Sequence, residues 1–193
     1  MTTKKIAIFA SGTGSNAINL IQYFKGNSSV EIVFVLSNKR TAPVIESADK
    51  LGVQTICCSN NQAADASFMI QICEDHNVDF IVLAGYLRLI PAALIDRFEE
   101  RIINLHPSLL PKFGGKGMYG HYVHEAVLEN NEVESGITVH FVNKEFDQGR
   151  IIAQFKFNIE DGFELADVQR EISRLEQLHL PVVVEGEVLR SKV

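Results

Sequence analysis

The chain is poor in cysteine, poor in net positive charge and nowhere apolar for long. Its three cysteines, Cys57, Cys58 and Cys73, are odd in number, two are adjacent, and no CxxC spacing occurs. That excludes a disulfide framework and favours a reducing compartment. The formal net charge of -6 weighs against nonspecific binding to DNA or RNA, whose phosphates are gripped by basic surfaces. It leaves room for a phosphorylated small molecule, which backbone amides can hold. The apolar run after Lys4 and Lys5 stops at Ser11-Gly12, too short for the core of a signal peptide. No window reaches the ~18 uninterrupted apolar residues of a membrane-spanning helix. A soluble cytoplasmic protein, with no nucleic-acid or membrane partner, is expected. What is present is ordinary: 193 residues, 46% hydrophobic and 22% charged, enough for a buried core without a metal or disulfide staple. No repeat, linker or low-complexity segment divides it, so one domain over residues 1–193 is expected.

The order of elements sets the fold class. Short continuous apolar runs at 5–10 (KIAIFA), 31–36 (EIVFVL), 53–57, 79–84 (DFIVLA) and 101–106 (RIINLH) read as buried strands. Helical spacing occupies 17–24, 42–51 (Thr41 as its cap, Pro43 in its first turn), 63–76, 91–98 and 121–130. This alternation predicts an α/β fold with a doubly wound, mostly parallel, Rossmann-like sheet. The texture then changes. Residues 136–142 (GITVHFV) alternate like a half-buried strand, 149–158 follow after a tight turn, and the C-terminal part should be antiparallel. An amphipathic helix over 165–180 is expected to stop before Pro181, and 182–189 to form a last strand. Ligands of such sheets bind beyond the carboxyl ends of the strands, which directs attention to the loops 11–16, 85–90 and 106–120.

Three segments there can carry chemistry. Ser11 to Asn16 (SGTGSN) links the first strand to the first helix. A helix N-terminus offers free N–H groups and a positive dipole end, and glycines let an anion such as phosphate approach. The competing reading is a plain capped turn. The dinucleotide pattern GxGxxG fails because position 17 is Ala, and the second strand ends at Ser37-Asn38 rather than an acid, so NAD is disfavoured. In the second segment, Asn104 and His106 lie two apart on a strand and share a face. Asn can donate to a developing oxyanion and His can exchange a proton near neutrality, while Pro107 and Pro111 stiffen the loop. A satisfied half-buried histidine is the alternative. The third, Glu145 to Gly149, reads as turn chemistry with Asp147 as a candidate. His121 and His124, three apart on a helix, lack a third ligand for zinc. His76, His140 and His179 are scattered, so no metal is expected. Ser108 has no GxSxG setting and Cys57-Cys58 no evident base, so no covalent nucleophile is indicated.

Taken together, SGxGSN at 11–16, LAGYLRLI at 83–90, INLHPSLLP at 103–111, GITVHF at 136–141 and DxG at 147–149 resemble the glycinamide ribonucleotide formyltransferases, from Lys5 to about Leu189. The resemblance implies 10-formyltetrahydrofolate as co-substrate, no metal, and small-molecule partners, with the protein a monomer or homodimer. It assigns a nucleotide part at about 1–100 and a folate and catalytic part at about 101–193. Gly14, Ser15 and Asn16 would hold the substrate phosphate, with Pro107 and Glu176 also at the nucleotide. Leu87, Arg88, Leu89 and Ile90 would line the pterin pocket, largely through backbone groups, with Asn104 and with Asn143, whose loop to Asp147 closes over the folate. Asn104, His106 and Asp147 would be the catalytic trio. An amine would attack the formyl carbon directly, Asn104 and a protonated His106 would stabilise the oxygen, and Asp147 would help move the proton. The resemblance departs at 59–65, which lacks the arginine that many relatives carry there, in an extra glycine within 111–117, and in the absence of tryptophan.

Formyltetrahydrofolate hydrolase is the nearest rival but usually carries an N-terminal regulatory domain. Methionyl-tRNA formyltransferase needs a C-terminal RNA-binding domain, and this chain is short and acidic. Sugar-nucleotide formyltransferases share the trio without this form of the GxGSN loop. A catalytically dead nucleotide-binding module would be favoured only by loss of Asn104, His106 or Asp147. An NAD oxidoreductase would be revived by binding of reduced nicotinamide.

Overall fold

A computed structural model describes residues 2–191, so the outermost positions of the expected 1–193 domain lie outside the described residues. The first five strands are β1 (Lys4–Phe9), β2 (Val30–Ser37), β3 (Thr55–Cys57), β4 (Phe80–Leu83) and β5 (Ile102–His106). They pair in parallel. β6 (Glu134–Phe141) and β7 (Ile151–Asn158) then add to the β5 edge antiparallel. One seven-stranded sheet results, in the order β3-β2-β1-β4-β5-β6-β7. The mostly parallel sheet with an antiparallel end is the architecture the element order predicts.

The buried strands read as continuous apolar runs because helices cover both faces of the sheet. Successive side chains alternate between faces: in β1, Ile6 and Ile8 enter one core while Ala7 and Phe9 enter the other. The first core lies under α1 (Ser15–Tyr23), α2 (Pro43–Lys50) and α7 (Leu165–Arg190). The second lies under α3 (Asn60–Ala64), α4 (Ala66–Asp75) and α5 (Ala92–Arg97). Each fully buried large side chain in these layers contributes roughly 1.5–3 kcal/mol. The short helix α6 (His121–Glu129) packs beside α7.

Three sequence expectations are corrected, the smallest being that Thr41 does not cap α2, whose N-cap is Ala42 with no side-chain hydrogen bond. The helix expected over 63–76 is two helices, because Asp65 interrupts it: its carboxylate accepts from the N–H groups of Ser67 at 2.9 Å and Phe68 at 3.3 Å, capping α4. Ser59 caps α3 in a reciprocal box with Gln62. The larger correction is at the C-terminus. α7 does not stop before Pro181, and 182–189 is not a strand; one helix of 26 residues passes through the proline to Arg190. Pro181 has no N–H to offer the carbonyl of Gln177 one turn earlier, and that carbonyl instead accepts from Asn19 Nδ2 of α1 at 2.7 Å. Leu180, Val184 and Val188, four apart, are all fully buried in the first core. That helical stripe outweighs the strand preference of the valine run. No helix among the described residues is long and apolar enough to cross a membrane.

Candidate active site

The carboxyl ends of β1, β4 and β5 open onto one cavity of about 570 Å³, which the β6–β7 connection at 142–150 and α7 complete. A volume of this size suits a drug-sized ligand or two small ones. The cavity is lined by Gly14, Ser15, Asn16, Leu87, Arg88, Leu89, Ile90, Asn104, His106, Pro107, Asn143, Asp147 and Glu176. Every site residue singled out in the sequence therefore reaches the same cavity. None of residues 59–65 does.

At one end is the turn into α1. Gly14 adopts φ +78, and a Cβ there would collide with the side chain of Val44; only glycine fits. No side chain caps the helix, and the residues of its first turn, Ser15 and Asn16, line the cavity. Asn16 donates from Nδ2 to Glu176 Oε2 at 2.8 Å, tying the start of α1 to the middle of α7. Burial pushes the Glu176 carboxyl above its ordinary range, against the pull of that hydrogen bond. The Oδ1 atom of Asn16 is buried with no protein partner. The turn is also tied to the next loop: Ser11 accepts at Oγ from the Leu87 N–H at 3.0 Å and donates to Asn38 Oδ1 at 2.7 Å. Beyond it, exposed Leu87 and Leu89 and buried Ile90 form an apolar wall.

Between these two ends stand the polar groups of β5 and its neighbours. His106 is 4% exposed. Its Nε2 lies 2.8 Å from the carbonyl of Phe113, an acceptor, so Nε2 carries a hydrogen. Its Nδ1 is 3.6 Å from Asp147 Oδ2, beyond direct hydrogen-bond length. Asp147 sits at φ +55, a conformation that aspartate tolerates better than most residues. It is held there by the Gly115 N–H, which donates to Oδ2 at 2.8 Å. The loop after His106 is clamped from behind. Fully buried Thr138 donates to the Ser108 carbonyl at 2.6 Å and accepts from the Leu110 N–H at 3.0 Å and from Gln154 Nε2 at 2.9 Å.

Two histidines that the sequence left unassigned also line the cavity. His140 lies directly across the ladder from Asn104, with its Nε2 at 3.0 Å from Asn104 Nδ2. Strand periodicity could have placed it, given the pairing of β6 with β5. Burial pulls its pKa down; the Phe141 carbonyl and Asp147 oppose that shift, and His106 adds to it. His124 and His121 differ in burial: the former is buried with Nδ1 unpartnered, while the latter is exposed and packs against the exposed Tyr122 ring. Burial, reinforced by His121 and His106, takes the His124 pKa down to about 4. Among the described residues, no group of three or more His, Cys, Asp or Glu is arranged to hold a metal.

The sequence model of a family described as formyl transferase matches residues 4–184. The Arabidopsis thaliana protein named phosphoribosylglycinamide formyltransferase, chloroplastic, is 42% identical over 157 residues, 78% of this chain and 54% of that protein. This chain thus spans about half the length of that plant relative. The Bacillus subtilis phosphoribosylglycinamide formyltransferase is 35% identical over 187 residues, covering 94% of this chain and 93% of its own length. The crystal structure of phosphoribosylglycinamide formyltransferase from Bacillus halodurans superposes with a TM-score of 0.85 at 32% identity, over 98% of this chain and 96% of that one. With a family match over most of its length and a bacterial relative paired nearly end to end, the chain belongs to the formyl transferase family, on the branch of the phosphoribosylglycinamide formyltransferases.

Proposed function

We propose that this protein transfers the formyl group of 10-formyltetrahydrofolate to the amine of glycinamide ribonucleotide, a step of purine biosynthesis. The observation that carries this reading is the meeting of Asn104, His106 and Asp147 between an anion-binding helix start and an apolar wall. The nucleotide phosphate sits on the N–H groups of Gly14, Ser15 and Asn16, and Glu176 and Pro107 flank the rest of the nucleotide. The pterin lies against Leu87, Arg88, Leu89 and Ile90, with Asn143 and its loop above. These placements bring the two substrates together from opposite ends of the cavity.

The amine nitrogen attacks the formyl carbon, the bond from that carbon to the folate nitrogen breaks, and one amine proton ends on that nitrogen. Negative charge grows on the formyl oxygen in between. Asn104 Nδ2–H and, in its protonated form, His106 Nδ1–H are aimed at that oxygen, and one such donor is worth about 3 kcal/mol. Asp147 stands beside His106 Nδ1 and takes part in the proton transfer, directly or through a water. The three unpaired cysteines favour a reducing setting such as the cytoplasm.

The test is release of deformylated folate, followed by absorbance, with and without glycinamide ribonucleotide, beside His106→Ala. Nucleotide-dependent release that falls by about 10²-fold or more in the variant is expected, the size of effect that loss of an oxyanion donor produces. Release without the nucleotide would assign the protein to the hydrolases instead. No release in either arm would overturn the reading.

A further inference from the structure

We propose that His140 is a positioning residue: as a neutral imidazole that accepts at Nε2, it chooses which way the side-chain amide of Asn104 faces. The proposal rests on the formyl-transfer reading above for its consequence, but on independent geometry for its substance.

The amide of Asn104 can sit in two orientations of nearly the same shape, oxygen and nitrogen exchanged. Only one presents an N–H to the cavity, and oxyanion stabilisation needs that one. Asn104 and His140 are directly opposed on the antiparallel pair β5–β6, and such opposed side chains stand on the same face of the sheet. The Nδ1 of His140 lies 2.8 Å from the Phe141 carbonyl. A carbonyl only accepts, so Nδ1 carries the ring hydrogen. In a neutral ring Nε2 is then a bare acceptor, and it lies 3.0 Å from Asn104 Nδ2. Turning the amide over would set the Asn104 oxygen against this lone pair. One Nδ2 hydrogen is therefore spent on His140, and the other remains on the cavity side, which Asn104 lines.

The neutral form is the point on which this depends, and the surroundings favour it. His140 is 2% exposed. The groups facing it are the Phe141 carbonyl, Asn104, Asp147 Oδ1 at 3.7 Å from Nε2, and the His106 ring. Burial outweighs the pull of Asp147, so the ring protonates only below the ordinary histidine range. A protonated ring would donate from Nε2 and would invert the preference of the amide.

Two measurements decide the matter on the full chain. The first needs no turnover: 15N NMR of the imidazole of His140, assigned by its loss in His140→Phe. The expected result at neutral pH is a protonated Nδ1 and an unprotonated Nε2. A proton on Nε2 would overturn the proposal whatever the enzyme does. The second is steady-state kinetics. His140→Phe is expected to lower kcat about 10- to 100-fold, part of the ~10²–10³ that a whole oxyanion donor is worth, with KM for both substrates little changed. His140→Gln, which can offer an amide oxygen near the position of Nε2, should recover most of the loss. In an Asn104→Ala background, His140→Phe should cost nothing further, because the group it orients is gone. Additive losses, or a change confined to KM, would sink the idea. If the wild-type protein shows no formyl transfer, the functional reading fails alone, and the NMR result still judges the orientation of the ring.

Discussion

His124 shows what a single buried titratable group does to stability. Its ring is neutral in the fold, with the pKa taken down to about 4, whereas an unfolded histidine titrates at about 6.5. The sign follows from proton counting. Between these values the unfolded chain binds a proton that the folded chain refuses, so stability falls as pH drops from about 6.5 towards about 4. The loss at the acid end should be on the order of 2 kcal/mol, discounted because the ring borders an open cavity. His124→Gln should flatten this slope in urea titrations taken from pH 7 to pH 4.5, while changing stability at pH 7 far less. An unchanged slope would mean that another group drives the acid response. Glu176 works in the opposite sense. Its raised pKa opposes folding above the ordinary carboxyl range, where the unfolded chain is charged freely, and the penalty disappears in acid. The tie to Asn16 holds this carboxyl at the end of the cavity proposed for the nucleotide.

At the scale of elements, the 107–113 loop is held by polar side chains of β6 and β7. Thr138 satisfies one carbonyl and one N–H of that loop, and Gln154 of β7 satisfies a second carbonyl, that of Leu110, at 2.9 Å. Thr138→Val keeps the shape but strands buried polar groups, each costing about 1–3 kcal/mol. The expected outcome is a loss of about 3 kcal/mol in denaturant unfolding. It should come with a fall in kcat at temperatures where the variant is still fully folded, because His106 takes its Nε2 partner, Phe113, from the far end of the same loop. A variant with full stability would show that the clamp is redundant with Pro107 and Pro111. The hydrogen bond from Asn19 to the carbonyl left free by Pro181 is the same kind of device: one element supplies the partner that another lost.

At the scale of the molecule, the cavity collects its walls from the turn between β1 and α1, β4, β5, the β6–β7 connection and α7, elements far apart in the chain. A ligand that spans them stabilises the fold by linkage, because the unfolded chain cannot bind it. Glycinamide ribonucleotide at about 100 times its Kd should add about 2.7 kcal/mol of stability, visible as a rise in Tm of several degrees. The rise should shrink in Glu176→Ala, which breaks the tie between α1 and α7. A nucleotide that leaves Tm unchanged at millimolar concentration would show that the folded chain does not bind it.

The sequence by itself determined the sheet and the end of it at which the candidate residues meet in one cavity. Apolar runs alternating with helical spacing are local signals, and the carboxyl ends of parallel strands are where α/β sheets bind ligands. The SGTGSN turn, the Asn104–His106 pair and the motifs that resemble a known family were legible because each is contiguous or nearly so. Strand ends were read to within about two residues. Only the tertiary structure decided matters that rest on contacts between distant segments. Pro181 reads locally as a helix end, and it is a helix interior because Asn19, distant in the chain, accommodates the free carbonyl. Asp65 splits a helix because its carboxylate accepts from the N–H groups of Ser67 and Phe68. His140 looked scattered because its partner Asn104 lies on another strand, and strand pairing is not written in either segment alone. His124 differs from His121 because it is buried beside the cavity, while His121, the first residue of α6, is exposed. Local pattern sets what each segment can be, while desolvation and hydrogen-bond satisfaction, which are properties of the packed whole, select which of those possibilities is realised.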